Sequence, residues 1–140
     1  MAKNTTPLEH EEQVKVIEWL KGDNDHAALL RTRNLSPVLF SAIANGHYQS
    51  SIKQQNKLKA EGMMSGVPDL LLIVPPERSK TGRRLMLWIE MKRLQGGSVS
   101  DSQQQWIDEI NAVEGGNVGA FVCYGHKEAI ELLKDFLIKL

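Results

Sequence analysis

Apolar residues recur along this 140-residue chain at two spacings, one helical and one of alternating strand positions. From Leu8 to Leu20, Val14, Val16, Ile17, Trp19 and Leu20 predict an amphipathic helix, opened by Thr6-Pro7 and stopped by Gly22. Ser36 to Ala44, with Val38, Leu39, Phe40 and Ile43 apolar, reads as a strand ended by Asn45-Gly46. Ser50 to Glu61 is polar, carries Lys53, Lys57 and Lys59, and reads as a helix ended by Gly62. Asp69 to Val74 is a strand stopped by Pro75-Pro76. A polar loop from Glu77 to Arg84 leads into a strand from Leu85 to Lys92. On it Leu85, Leu87, Ile89 and Met91 share one face, and Met86, Trp88, Glu90 and Lys92 the other. Ser100 to Val113 is a helix with Trp106, Ile107, Ile110 and Val113 on its stripe. After Gly115-Gly116, Val118 to Tyr124 is nearly all apolar, as a buried strand between helices would be. Gly125 leads into a last helix with Ala129, Ile130, Leu133, Phe136 and Leu137 inward.

The order helix, strand, helix, strand, strand, helix, strand, helix implies an α/β domain of three layers, a mixed central sheet flanked by helices. The length fits one domain over residues 1–140. With 41% hydrophobic residues the chain can bury a core without staples, and its one cysteine, Cys123, excludes an internal disulfide and a cysteine-built zinc site. Cys123 lies in an apolar strand and reads as core rather than nucleophile. No apolar run approaches the ~18 residues of a membrane span, and no signal peptide precedes the first polar stretch. A cytoplasmic protein with no membrane partner is expected.

Net charge is zero, which removes any global basic footprint for nucleic acid. The distribution is uneven: residues 53–93 hold nine Lys or Arg and four Asp or Glu, a local net charge of +5. Two of those four acids, Asp69 and Glu90, begin one strand and end the next. A basic segment around two inward acids suits a polyanion held over a metal site. His10-Glu11 lacks the second histidine of a zinc protease helix, and there is no phosphate-binding or dinucleotide glycine fingerprint, so no small-molecule cofactor is expected.

If the two central strands form an antiparallel hairpin, Asp69 and Glu90 stand equally far from its turn and face one another. Opposed side chains on neighbouring strands lie roughly 4.5–5.5 Å apart at Cβ. Two carboxylates that close repel, and a divalent cation relieves the repulsion. Hard oxygen ligands suit Mg²⁺, with Mn²⁺ as a substitute. Lys92 shares the face of Glu90 and can position a water or a phosphate there. Met91 turns its side chain away, but its carbonyl can ligate the metal.

Two further residues come from the helices. With Val16, Ile17, Trp19 and Leu20 inward at about 100° per residue, Glu9 projects onto the centre of that face, with Gln13 about 40° to one side and Glu12 about 60° to the other. A carboxylate on such a stripe needs a partner, and both Glu9 and Glu12 can reach inward. Gln103 projects onto the stripe of Trp106, Ile107 and Ile110, while Ser100-Asp101-Ser102-Gln103 also spells a capping box. Cap and site residue are alternative roles for it.

These residues resemble the PD-(D/E)XK nuclease superfamily and, within it, phage-type stand-alone members of the VRR-NUC (virus-type replication-repair nuclease) family. The resemblance rests on Glu9-x-x-x-Gln13 with Trp19-Leu20, Ile43-Ala44-Asn45-Gly46, and Lys57 to Gly62. It continues through Gly66-Val67-Pro68-Asp69-Leu70, Ile89-Glu90-Met91-Lys92-Arg93, Ser100-x-x-Gln103-x-x-Trp106 and the strand before Tyr124-Gly125. It departs at Ala44, where proline is common, and at Met91. It implies a restriction-endonuclease-like fold and a divalent-metal-dependent DNA endonuclease. Asp69, Glu90 and the Met91 carbonyl would hold the metal, Lys92 would serve the nucleophile, Glu9 would complete the site and Gln103 would support it. It also implies a homodimer cutting branched, junction or flap DNA in replication, recombination or repair. The rival reading is a nucleic-acid-binding module that no longer cleaves.

Overall fold

The computed structural model describes residues 7–21, 37–43 and 51–138. The stop at Gly22, the turn at Asn45-Gly46 and both ends of the strand from Ser36 to Ala44 lie outside those residues. In chain order the elements are helix α1 (Glu9–Lys21), strand β1 (Leu39–Ala42), helix α2 (Ile52–Ala60), strand β2 (Leu70–Val74), a 3₁₀ turn (Pro76–Arg78), strand β3 (Leu85–Lys92), helix α3 (Asp101–Asn111), strand β4 (Val118–Tyr124) and helix α4 (His126–Phe136).

The four strands form one sheet in the order β1-β2-β3-β4. β1 pairs antiparallel with β2, and β2 with β3, while β4 runs parallel to β3 and is reached through α3. In the β2–β3 hairpin Leu70 faces Ile89 and Leu72 faces Leu87, which is the register that sets Asp69 opposite Glu90. The alternation in β3 divides the core in two. Leu85, Leu87, Ile89 and Met91 join Val16, Leu20, Cys123, Ala129 and Leu133 in a cluster under α1 and α4. Trp88 joins Ile107, Ile110, Ala120 and Val122 under α3. The fold is therefore an α/β domain of three layers with a mixed sheet between helices.

Three expectations shift. α3 ends at Asn111, capped by Ala112, so Val113 leaves the stripe and is exposed. The buried line of α1 is Glu12, Val16 and Leu20, at i, i+4 spacing, while Val14 is exposed. The polar loop after β2 is partly interior. Arg78 and Ser79 are both 2% exposed, held by a bridge between Ser79 and Leu137. The Lys80 N–H donates to the Phe136 carbonyl and the Ile138 N–H to the Arg78 carbonyl, each at 2.9 Å.

Candidate active site

The candidate residues meet at the end of the hairpin where β2 begins and β3 ends. Asp69 precedes β2 and is fixed by main-chain bonds. The Met91 N–H donates to its Oδ2 at 2.8 Å, and its own carbonyl accepts from the Ile43 N–H at 2.8 Å. The approach to Asp69 runs through Gly66, whose φ is +91°. A Cβ there would stand 2.6 Å from the carbonyl carbon and oxygen of Ser102. Only glycine lets this loop lie against the first turn of α3, where Gln103 is.

Glu90 and Lys92 leave the same face of β3, as the strand period requires, and both are buried, at 1% and 4% exposure. Lys92 Nζ lies 3.4 Å from Glu90 Oε1. Gln103 joins the two: its Nε2 donates to Glu90 Oε1 at 2.8 Å and its Oε1 accepts from Lys92 Nζ at 3.0 Å. The same Oε1 accepts from the Ser100 N–H at 2.9 Å, and the Gln103 N–H donates to Ser100 Oγ at 3.2 Å, completing the capping box. The cap and the contacts with Glu90 and Lys92 are therefore made by one side chain. The ammonium and the N–H demand an oxygen and the carboxylate demands an N–H, so only one orientation of the amide satisfies all three.

Glu9 Oε1 lies 3.9 Å from Lys92 Nζ, with its side chain 46% exposed. Glu12 does something else. It is 3% exposed, and its Oε2 accepts from the backbone N–H of His126 and contacts the His126 ring Nδ1 at 2.7 Å. Gly125 has no side chain to cap α4, and Glu12 supplies that acceptor from another helix. Of the two glutamates, Glu9 faces Lys92 and Glu12 locks α1 to α4. Sequence reasoning missed the His126 partner; the spacing of Glu12, Val16 and Leu20 was the available signal.

Glu90 is the electrostatic centre of the site. Burial, and next the neighbouring Asp69 anion, push its carboxyl up to about 7, against the pull of Lys92. Its Oε1 is engaged, but Oε2 is buried with no hydrogen-bond partner. Met91 is fully buried on the opposite side, as the alternation requires. Among the described residues no three His, Cys, Asp or Glu side chains converge as a metal cage. Cys123 is buried, and burial pushes its thiol up to about 12, which suits a core residue. The groove lined by Pro37, Leu39, Ile73, Pro75 and Arg84 lies toward the opposite end of the hairpin. No described helix is long and apolar enough to cross a membrane.

A solved structure described as a VRR-NUC domain protein matches this fold with a TM-score of 0.63 at 19% identity, covering 93% of this chain and 88% of that one. At that identity the likeness is one of fold. No curated protein matches the chain. The model of the VRR-NUC domain matches residues 8–127, a span that takes in Glu9, Asp69, Glu90, Lys92 and Gln103, and by that match the chain belongs to the VRR-NUC nuclease family.

Proposed function

We propose that the protein is a divalent-metal-dependent endonuclease that hydrolyses phosphodiester bonds in branched DNA, at junctions or flaps. The observation that carries this is Glu90 Oε2, a buried carboxylate oxygen without a partner, on a side chain repelled by Asp69 and beside a buried lysine. Such an oxygen is costly unless it receives a cation or a proton. Asp69, Glu90 and the Met91 carbonyl would hold Mg²⁺ or Mn²⁺, a set of hard oxygens that leaves room for water and phosphate. When bound, the cation would neutralise charge on the phosphate and acidify a water molecule.

The chain's own residues do the rest. Lys92, braced by Gln103 and Glu90, orients the attacking water and meets charge developing on the phosphate. Gln103 holds Lys92 and Glu90 at fixed separation, and Glu9 closes the outer side. The local net charge of +5 over residues 53–93 supports a polyanionic substrate. A homodimer would double that charge and supply the two sites that a paired cut across a junction needs.

The test is a cleavage panel of junction, flap and linear DNAs with Mg²⁺ or Mn²⁺, and with chelator. Asp69→Asn and Lys92→Ala are each expected to lower the rate by about 10²–10³-fold, the cost of losing one preorganised charge-stabilising group. Wild-type protein that binds DNA without cutting under any metal would leave only the binding-module reading. Variants as active as wild type would remove these residues from the site.

A further inference from the structure

An aromatic side chain stands exposed beside Lys92. Tyr124 is paired in register with Lys92 across the parallel β3–β4 ladder, so both side chains leave the same face, about 4.8 Å apart along the sheet. The earlier residues of that face, Ala120 and Val122, lie under α3. α3 begins at Asp101, and its first turn is occupied by Gln103 at Glu90 and Lys92, so Tyr124 stays 36% exposed. Among the described residues the Tyr124 side chain has no hydrogen bond or ring contact. Leu94, 61% exposed, follows β3 by two residues. Its Cδ1 lies 3.4 Å from where a Cβ on Gly125 would stand, a point 3.5 Å from Glu12 Oε2, so it turns toward Glu12 on α1.

We propose that Tyr124 forms a platform that takes an unpaired nucleobase next to the phosphate being cut. This rests on the nuclease reading of the Lys92 site and names the substrate feature that the site selects. A nucleotide whose phosphate sits at Lys92 has its base within reach of the neighbouring strand end, where Tyr124 is. A base inside a paired duplex has its faces covered by its neighbours in the stack. A base at a branch point or flap offers a free face to an aromatic ring. Stacking of this kind is tolerant of sequence because every base has a π-face. Nucleic acid is the occupant because Tyr124 adjoins the residues read as the phosphate-cutting site, whose strand lies in a segment of net charge +5.

The experiment uses Asp69→Asn protein without metal, and oligonucleotides carrying 2-aminopurine either at a flap junction or within a continuous duplex. Stacking on Tyr124 should change the 2-aminopurine emission in the flap. Adding Tyr124→Ala should lower the ratio of flap to duplex affinity by about 5- to 150-fold, the effect of one base stacked on an aromatic ring. Tyr124→Phe and Tyr124→Trp should keep the ratio, which separates stacking from a hydroxyl contact and from misfolding. Leu94→Ala, at a side chain turned toward Glu12, should leave it unchanged. An affinity ratio untouched by Tyr124→Ala, in a protein that cuts branched DNA, overturns the platform alone. A Tyr124→Ala protein that changes its oligomeric state places Tyr124 in a subunit contact and also overturns it. Wild-type protein that neither binds nor cuts any DNA overturns the nuclease reading beneath it.

Discussion

Glu90 is a residue whose position is worse for stability than for chemistry. Its ordinary carboxyl value of 4.5 is raised to about 7 in the fold. Between those values the folded protein keeps a proton that the unfolded chain has released. Stability therefore falls as pH rises through that window, and the penalty is complete above about 7. Glu90→Gln removes the charge while keeping an acceptor for Gln103. At neutral pH, in chelator, it should raise the melting temperature by several degrees, corresponding to on the order of 2–3 kcal/mol. The gap should shrink toward pH 4.5, and DNA cleavage should be lost. Melting curves across that range decide it: equal melting of the two proteins at pH 7 would mean that the buried oxygen is not under strain.

The elements were legible where a local rule governed them. The strand period in β3 separated Glu90 and Lys92 from Met91, and hairpin symmetry placed Asp69 opposite Glu90. The capping box in Ser100 to Gln103 was visible, but not that one amide could serve both cap and site, because that depends on where β3 passes. Glu12 was harder. Trp19 and Ile17 pulled the apparent centre of the α1 face toward Glu9, whereas contact with α4 turns Glu12 inward. Arg78 and Ser79 read as loop residues because their burial comes from a bridge to Leu137, far away in sequence. Glu12 also carries a prediction. Burial pushes its carboxyl up, but the N–H and ring of His126 outweigh that and hold it below its usual value. A lowered acid contributes stability above pH 4.5 that is lost as pH falls through the folded value. Glu12→Gln should lower stability at neutral pH by about 1–3 kcal/mol, as loss of a charge-assisted bond does. It should also flatten the acid side of the stability profile. Urea midpoints for both proteins above and below pH 4.5 would show it, and parallel profiles would count against the α1–α4 lock.

For the whole molecule, zero net charge means that any attraction to DNA must be local. α2 is the clearest carrier: it has no buried residue, no acid in its first turn, and Lys57 and Lys59 in its last. If those lysines meet phosphates, each contributes about 0.9 to the slope of log affinity against log salt. Lys57→Gln with Lys59→Gln should therefore flatten that slope by up to about 2 and leave the melting temperature near wild type. Titrations of the Asp69→Asn protein at several salt concentrations give the slope directly. An unchanged slope would mean that this helix lies away from the DNA.

The lock between Glu12 and His126 joins residues 114 positions apart, and its consequence is one of timing. A chain emerging from the ribosome has made Glu9, Asp69, Glu90, Lys92 and Gln103 well before it reaches His126. Until then α4 is unmade, so α1 lacks the lock that joins it to α4. Contacts this distant in sequence form late, since a long loop must close before they reward the chain. The candidate site would thus lack its α1–α4 lock until α4 has been made.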